Sequence, residues 1–267
     1  MRNPNPATEW PPVLPEADTL ELLHQGRSIG RYGDGEFKMC EGHGIKSQNE
    51  DASLSAELAR ILHQPGDCLI GIPDLNLATL NRMTDQKREF WEKQRRFTYL
   101  LEHGRSYVSA FISRPDSAPW INAPKYWARL EQLWIDQDVT LVRGSQKSLT
   151  AEDLLGAGAV TEIMGPRQHA WSAREDIIAR VMAGKPRRVL LCLGPSATAL
   201  AVAFCARGVQ AIDLGHVGMF LRKHRRGDPM WVTDTEKDVD RKKAKAPADG
   251  KHAPAPRGLS STAGNGR

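Results

Sequence analysis

The chain has 267 residues, of which 40% are hydrophobic, so it can bury the core of one large or two small domains. Its net charge of +5 is a weak sign of an anionic partner, because residues 234–267 hold eight Lys or Arg against five Asp or Glu. The four cysteines show no CxxC spacing, which argues against a zinc site or a disulfide framework.

The two ends of the chain differ in composition from its middle. Five prolines among the first 15 residues predict that residues 1–17 are an extended lead-in. Residues 233–267 are rich in Lys, Ala, Pro and Gly without periodicity, which predicts a disordered basic tail. No segment has the apolar core of a signal peptide or the ~20 apolar residues of a membrane span, so we expect a cytoplasmic protein.

Between these ends, residues 18–232 are predicted to form a single α/β domain. Taken in chain order, the predicted elements are a helix at 18–26, a short strand from 28 that runs into a glycine-rich turn, a helix at 51–62, a strand at 68–73, an amphipathic segment at 84–104, a strand at 107–115, a helix at 124–134, a strand at 138–146, a helix from 151, a strand at 160–166, a helix at 172–184, a strand at 187–195, a helix at 196–208 and a strand at 209–216. Strands alternating with helices predict a mostly parallel sheet with helices on both faces.

The segment RYGDGE, residues 31–36, carries the most chemical information. Gly33 and Gly35 are unfavourable inside a strand and favour a turn. Such a turn can bring Asp34 and Glu36 to one position, with Arg31 nearby to donate hydrogen bonds to a phosphate. Hard cations such as Mg2+ and Mn2+ prefer sites of this kind. The alternative is a solvated acidic turn.

Two further segments follow predicted strands. LCLGPSATALA places Gly194, Ser196 and Thr198 between a strand and a helix, where backbone N–H groups can bind phosphate or Ser196 can simply cap the helix. DLGH places Asp213 and His216 at the same edge of the sheet. His216 is a candidate base or phosphate ligand, and the alternative is a structural histidine.

Basic residues offer several candidate anion sites. Arg143, in LVRGS, can bind a diphosphate bidentately or lie in a surface turn, and Arg114 has the same ambiguity. The run RKHRR at 222–226 can bind phosphate or RNA. It has no interleaved aromatic residues, which favours a solvated face over nucleic acid.

Taken together, these segments resemble the bacterial GT-D glycosyltransferase family, which carries an RxGDGE motif. The likeness extends from about residue 28 to 220 and includes Ser47-Gln48, FISRP at 111–115, LVRGS at 141–145, LGPSATALA and DLGH. The resemblance implies a Rossmann-like α/β fold. It also implies transfer of a sugar from a nucleoside-diphosphate-sugar donor to a glycan, lipid-linked or protein acceptor, with Mn2+ or Mg2+.

The resemblance also assigns site residues. Asp34 and Glu36 match the Asp-x-Glu pair that serves the metal and the donor diphosphate. The residues that we expect at the donor are Arg31, Gly33, Gly35, Gln48, Arg114, Arg143, Gly194, Ser196, Thr198 and Asp213. The chain departs from the family pattern at Arg143, where an acidic residue is common, and at VGMFLRKHRRG after the GH dipeptide.

The leading hypothesis is therefore a metal-assisted glycosyltransferase. An inverting reaction would need a base, and the candidates are Glu36, Asp213 and His216. Two alternatives stay open: a noncatalytic nucleotide- or RNA-binding module that uses the run at 222–226, and a metal-dependent phosphohydrolase.

Overall fold

The computed structural model describes residues 9–145 and 147–230, and these residues form one sheet with helices packed against it. The predicted tail at 233–267 and the first eight residues of the predicted lead-in lie outside the described residues. The strands are β1 (Val13–Leu14), β2 (Ile29–Arg31), β3 (Leu69–Ile72), β4 (Tyr107–Ser109), β5 (Val139–Arg143), β6 (Val160–Met164), β7 (Arg188–Cys192) and β8 (Gln210–Asp213). The α-helices are α1 (Glu16–His24), α2 (Asp34–Cys40), α3 (Ala52–His63), α4 (Leu77–Leu80), α5 (Asp85–Gln94), α6 (Pro124–Glu131), α7 (Arg174–Ala183), α8 (Pro195–Cys205) and α9 (Val217–Arg226).

The sheet has the strand order β1-β4-β3-β2-β8-β7-β5-β6, and within the described residues every neighbouring pair of its strands is parallel. Consecutive residues of a strand point to opposite faces of a sheet. The consecutive residues Val189, Leu190 and Leu191 of β7 are all buried, so both faces of the sheet are covered. The predicted α/β fold is confirmed, with a fully parallel sheet where a mostly parallel one was expected.

Local sequence explains the best-defined helix, α3. Asp51 is its N-cap, and the side chain accepts hydrogen bonds from the backbone N–H groups of Ser53 and Leu54, at 2.9 and 3.0 Å. Leu54, Leu58 and Ile61 recur at helical spacing and are buried. The predicted helix at 51–62 therefore forms for the reasons that predicted it.

An aromatic cluster holds the start of α2 against the core. The ring of Phe37 lies 5.6 Å from Tyr32, 5.2 Å from Phe97 and 6.1 Å from Trp10, measured between centroids. Trp10 also donates a hydrogen bond of 2.6 Å to the carbonyl of Pro73. The predicted lead-in thus contributes a buried indole, and its strand β1 pairs with β4.

Two predicted elements differ from the structure, and one helix was not predicted. The helix expected from residue 151 is a single 3-10 turn, Ala151–Asp153, which ends before Gly156 and Gly158. The strand expected at 107–115 stops at Ser109 and continues as a 3-10 helix to Ser113. The basic segment after DLGH forms a helix, α9, that we did not predict. No helix in the described residues is long and apolar enough to cross a membrane.

Candidate active site

The segments predicted to carry chemistry lie at the carboxyl edge of the sheet. Because the strands are parallel, the ends of β2, β4, β5, β7 and β8 meet at this edge. β5 and β7 are neighbours whose onward connections diverge, to β6 on one side and to β8 on the other. Open parallel sheets bind ligands beyond their carboxyl ends, at such points of divergence.

The RYGDGE segment begins helix α2, whereas the sequence predicted a free turn. Gly33 is the N-cap, and Glu36 folds back so that its Oε2 accepts a hydrogen bond of 2.8 Å from the N–H of Gly33. Oδ2 of Asp34 accepts a hydrogen bond of 2.9 Å from Nζ of Lys38, one turn later. Residues two apart do not share a helix face. The side chain of Glu36 turns back towards Gly33, and this brings its carboxylate to the N-terminus of α2, where Asp34 also lies.

The environment of Glu36 changes its acidity. Burial raises the pKa of Glu36 to about 7, although the hydrogen bond from Gly33 opposes the rise. The negative charges of Asp213 and Asp34 raise it further. A carboxyl group with a pKa near neutrality can both give and take a proton at physiological pH.

The guanidinium of Arg31 joins the ends of three strands. Its Nη1 donates to Oγ of Ser113 at 2.8 Å and to the carbonyl of Ala110 at 2.9 Å, both just beyond β4. Its Nη2 lies 3.2 Å from Oδ1 of Asp213, at the end of β8. Arg31 is buried. These bonds give Arg31 a structural role, and its predicted contact with a phosphate stays a prediction.

The DLGH turn closes over this guanidinium. The N–H of Gly215 donates a hydrogen bond of 3.0 Å to Oδ1 of Asp213. Gly215 has a φ of +53°, and a Cβ at this position would overlap Nη2 of Arg31. Burial raises the pKa of Asp213, and the charge of Arg31 opposes that rise. The turn therefore requires glycine, and Asp213 is held in an ion pair.

The segment after β7 has one unusual polar atom. Gly194, the N-cap of α8, has a φ of +57°. The hydroxyl of Ser196 is buried and has no hydrogen-bond partner in the described residues. Thr198 differs, because its hydroxyl donates a hydrogen bond of 2.6 Å to the carbonyl of Arg31. Unpaired buried hydroxyls are uncommon, and Ser196 lies at a helix N-terminus, where anions bind.

Arg143, at the end of β5, is bound within the protein. Its Nε and Nη2 donate to Oε2 of Glu162 on β6, at 3.0 and 2.6 Å. Its Nη1 donates to the carbonyl of Ser145 at 3.1 Å. Arg143 is buried, and one carboxylate balances its charge. These bonds give Arg143 partners within the protein, and its predicted contact with a diphosphate stays a prediction.

A loop that contains Gln48 approaches the start of α8. Oγ of Ser47 lies 3.6 Å from the point that a Cβ on Gly194 would occupy. The loop is held by His169, whose N–H donates to the carbonyl of Ser47 and whose Nδ1 accepts from the N–H of Asn49, both at 3.0 Å. Gln48 itself is buried. His169 had no recognisable signal in the sequence, because it lies outside the predicted elements.

Arg114 lies beside a buried carboxylate that the sequence did not single out. Its Nε and Nη2 donate to the two oxygens of Asp116, at 2.8 and 2.9 Å, and Nζ of Lys87 donates to Oδ2 at 2.6 Å. Burial acts to raise the pKa of Asp116, but the two cations hold it well below its ordinary value. Burial acts to lower the pKa of Arg114, but the charges of Asp116, Asp34 and Glu36 raise it. Arg114 is therefore within electrostatic reach of the α2 carboxylates.

The basic run at 222–226 lies on α9, and His216 is the exposed residue that precedes this helix. The side chains of the run have partners within the chain: Arg222 with Asp153, His224 with Trp127, Arg225 with Glu131 and Arg226 with Asp228. Groups that already bind acidic and aromatic side chains form a poor surface for RNA. The RNA-binding alternative gains no support from this helix.

Comparisons with known proteins agree with this architecture. Residues 29–240 match the family described as "Glycosyltransferase GT-D fold". The chain is 34% identical over 210 residues to the probable glycosyl transferase Gly of Streptococcus gordonii, and 28% identical over 214 residues to the glycosyltransferase GlyD of Streptococcus pneumoniae serotype 4. The matches cover 73% and 75% of this chain but only 30% and 26% of those proteins, which are much longer.

Two solved structures are matched over most of their own length, unlike the two longer relatives. A structure of the domain of unknown function 1792, described as having a distinct glycosyltransferase fold, has a TM-score of 0.75 and 29% identity, covering 84% of this chain and 85% of that one. A glycosyltransferase from Streptococcus sanguinis, of the same domain type, has a TM-score of 0.70 and 30% identity, covering 82% of this chain and 86% of that one. The chain belongs to the glycosyltransferase family with the GT-D fold.

Proposed function

We propose that this chain transfers a sugar from a nucleoside-diphosphate-sugar donor to a glycan, a lipid-linked or a protein acceptor. The observation that carries the proposal is the position of Asp34 and Glu36 at the N-terminus of α2, directly after the interior strand β2. A helix N-terminus favours anions, and two carboxylates there favour a cation that a diphosphate can share. The GT-D family membership supports the same reaction class.

The carboxylate oxygens of Asp34 and Glu36 are ligands of the kind that Mn2+ or Mg2+ prefers. One oxygen of each carboxylate is bound, Oδ2 of Asp34 by Lys38 and Oε2 of Glu36 by Gly33, and the other oxygen has no hydrogen bond to another described residue. Within the described residues no group of three or more His, Cys, Asp or Glu could hold a metal. The cation would thus have two protein ligands and complete its shell with diphosphate and water. It would neutralise charge on the leaving diphosphate.

Other residues have roles in the same proposal. The unpaired hydroxyl of Ser196 and the N-terminus of α8 bind an oxygen of the donor. An inverting reaction also needs a base for the acceptor hydroxyl. Of the three candidates, Asp213 is ion-paired with Arg31, which favours Glu36 and His216.

The first prediction tests the two carboxylates. Asp34→Asn and Glu36→Gln should each lower sugar transfer and donor hydrolysis about 100-fold or more, because each removes one of the two carboxylates that would hold the cation at the leaving diphosphate. The thermal midpoint should move little, since Gln at position 36 can still accept the bond from Gly33. The measurement is turnover with a panel of nucleoside-diphosphate sugars, with and without Mn2+.

The chain offers a matched control for this experiment. Asp176 lies in the first turn of α7 and pairs with Arg180 four residues later, as Asp34 pairs with Lys38. Asp176→Asn should leave turnover unchanged. Full activity in both carboxylate variants would remove them from the mechanism. Phosphate release from a nucleotide without a sugar would instead indicate a phosphohydrolase, and nucleotide binding without turnover a noncatalytic module.

A further inference from the structure

Two cysteines lie at the amino edge of the sheet, where its strands begin. Cys68 directly precedes β3, and Cys205 is the last residue of α8. Both are free thiols, and Cys68 is buried whereas Cys205 is half-buried. The candidate active site lies at the opposite, carboxyl edge, so the chemistry of this pair is separate from sugar transfer.

The pairing of β2 with β3 fixes the direction of the Cys68 side chain. The N–H of Leu69 donates a hydrogen bond of 2.9 Å to the carbonyl of Ser28, and the register places Cys68 beside Ser28. Paired residues point to the same face of a sheet, as do residues two apart on one strand. Gly30 faces α8, because a Cβ at this position would meet Thr198. Ser28 and Cys68 therefore face α8 as well.

Helix α8 brings Cys205 to the same place. The helix runs from the carboxyl edge back to the amino edge, because it connects the parallel strands β7 and β8. Cys205 follows Thr198 by about two turns, or roughly 10 Å along the helix axis. Ser28 precedes Gly30 by about 7 Å on β2, so α8 ends over the start of that strand. Cys205 accordingly packs against the hydrophobic cluster that contains Cys68.

The approach of α8 to the sheet is close enough for a disulfide. A Cβ on Gly30 would lie 3.4 Å from Cα of Thr198, which puts the two Cα atoms at most about 5 Å apart. Disulfides join residues whose Cα atoms are about 4.4–6.8 Å apart. The helix therefore passes the sheet at a separation that a disulfide spans.

The two thiols differ in acidity. Hydrogen bonding with the thiol of Cys68 lowers the pKa of Cys205 to about 6, although burial opposes the fall. The hydroxyl of Ser28 also lowers this pKa, and of the nearby charges Asp67 raises it and Arg27 lowers it. Interaction with Cys205, together with burial, holds the pKa of Cys68 well above its usual range. At neutral pH Cys205 is thus a thiolate, the form that reacts with oxidants, beside a protonated Cys68.

We propose that Cys68 and Cys205 form a reversible modification site, which hydrogen peroxide oxidises to a disulfide. The Cys205 thiolate attacks one peroxide oxygen, the O–O bond breaks, and Cys205 becomes a sulfenic acid while the other oxygen takes up a proton and leaves as water. Sγ of Cys68 then attacks Sγ of Cys205, the S–O bond breaks, and the hydroxyl leaves as water with the proton of Cys68. Each sulfur loses one electron and the peroxide gains two. A thiol reductant reverses the reaction.

The test is oxidation of the reduced full chain with hydrogen peroxide, followed by blocking of the remaining thiols with iodoacetamide and tryptic digestion without reductant. Mass spectrometry should find a reducible cross-link between the peptide of Cys68 and the peptide that holds both Cys192 and Cys205. Cys192→Ala is the control for this shared peptide, because burial raises the pKa of Cys192 to about 12. The cross-link should form equally in that variant. Its absence from the wild type, or its loss in folded Cys192→Ala, would overturn the inference.

Two variants separate the steps of the reaction. Cys68→Ala should stop at the sulfenic acid of Cys205, which dimedone traps, and Cys205→Ser should form neither product. Oxidation should raise the thermal midpoint of the wild type by roughly 5 °C or more, because the disulfide closes a long loop in the unfolded chain. Cys40→Ala, at a half-buried thiol whose pKa burial raises to about 12, should respond as the wild type does. If Cys68→Ala fails to fold, Cys205→Ser still decides, since an equal rise of its midpoint on oxidation would contradict the proposal.

Discussion

Buried charges at the carboxyl edge are balanced by residues that are distant in the chain. Arg31 and Asp213 are 182 positions apart, and Lys87 and Asp116 are 29 apart. A buried ion pair contributes little by itself, but removal of one partner leaves an uncompensated charge in a medium of low dielectric constant. Single substitutions at these residues should therefore cost more than substitutions at exposed pairs.

Asp116 allows this expectation to be tested by pH. Its folded pKa is depressed by Arg114 and Lys87, so its contribution to stability is present above the unfolded pKa of about 4 and is lost as the pH falls through the folded pKa. Asp116→Asn should lower the free energy of unfolding by about 2 kcal/mol at pH 7. The difference from the wild type should narrow below pH ~4.

Urea denaturation at several pH values measures this difference. Asp176→Asn serves again as the control, because Asp176 is 65% exposed in its pair with Arg180 and should change stability little at any pH. A constant difference between wild type and Asp116→Asn from pH 7 to pH 3 would contradict the assignment of the depressed pKa.

At the scale of elements, helix α8 packs unusually close to strand β2. A Cβ built on Gly30 would lie 2.9 Å from the carbonyl oxygen of Thr198. The hydroxyl of Thr198 in turn binds the carbonyl of Arg31. The backbones of helix and strand therefore approach each other where Gly30 has no side chain. This close approach fixes the position of the first turn of α8 relative to the end of β2.

Gly30→Ala should accordingly destabilise the protein by about 2 kcal/mol, because α8 must shift away from β2. Gly184→Ala is the control: Gly184 ends α7 with a φ of −77°, and its nearest contact would be an ordinary 3.4 Å. That variant should change the free energy of unfolding by less than about 0.5 kcal/mol. Urea denaturation measures both free energies of unfolding. If the two substitutions have equal effects, the contact between α8 and β2 can accept a Cβ at position 30.

At the scale of the whole molecule, we expect the backbone amides of the parallel sheet to be best protected from hydrogen exchange at its centre. β8 and β7 have neighbouring strands on both sides, whereas β1 has two residues and β6 is an edge strand with partly exposed residues. Hydrogen exchange should therefore be slowest in β7 and β8 and fastest in β1. Exchange followed by mass spectrometry of peptides measures the order. Protection of β1 equal to that of β7 would contradict it.

The sequence predicted most of this architecture because local patterns determine it. Apolar runs such as VLLC in β7 and the capped helix at Asp51 can be recognised without tertiary contacts. Helix α9 also had a signal, since Val217, Phe220 and Leu221 recur at helical spacing, but the basic run that follows them favoured a solvated anion-binding segment. The expected helix from 151 failed because glycines at 156 and 158 end it after one turn.

The site was less predictable than the fold. Residues that follow strands were identified because a parallel sheet gathers them at one edge. Their partners could not be predicted: nothing local links Arg143 with Glu162, or marks Asp116 as the carboxylate that holds Arg114 and Lys87. Pairings of this kind depend on which loops meet in three dimensions.

The guanidinium of Arg31 has a mechanical consequence for the molecule. It links the loops after β2, β4 and β8 through one rigid planar group. None of these loops can swing outwards alone without breaking at least one of its hydrogen bonds. A displacement of the loop after β4 would thus reach the RYGDGE segment through the side chain of Arg31, without passing through the hydrophobic interior.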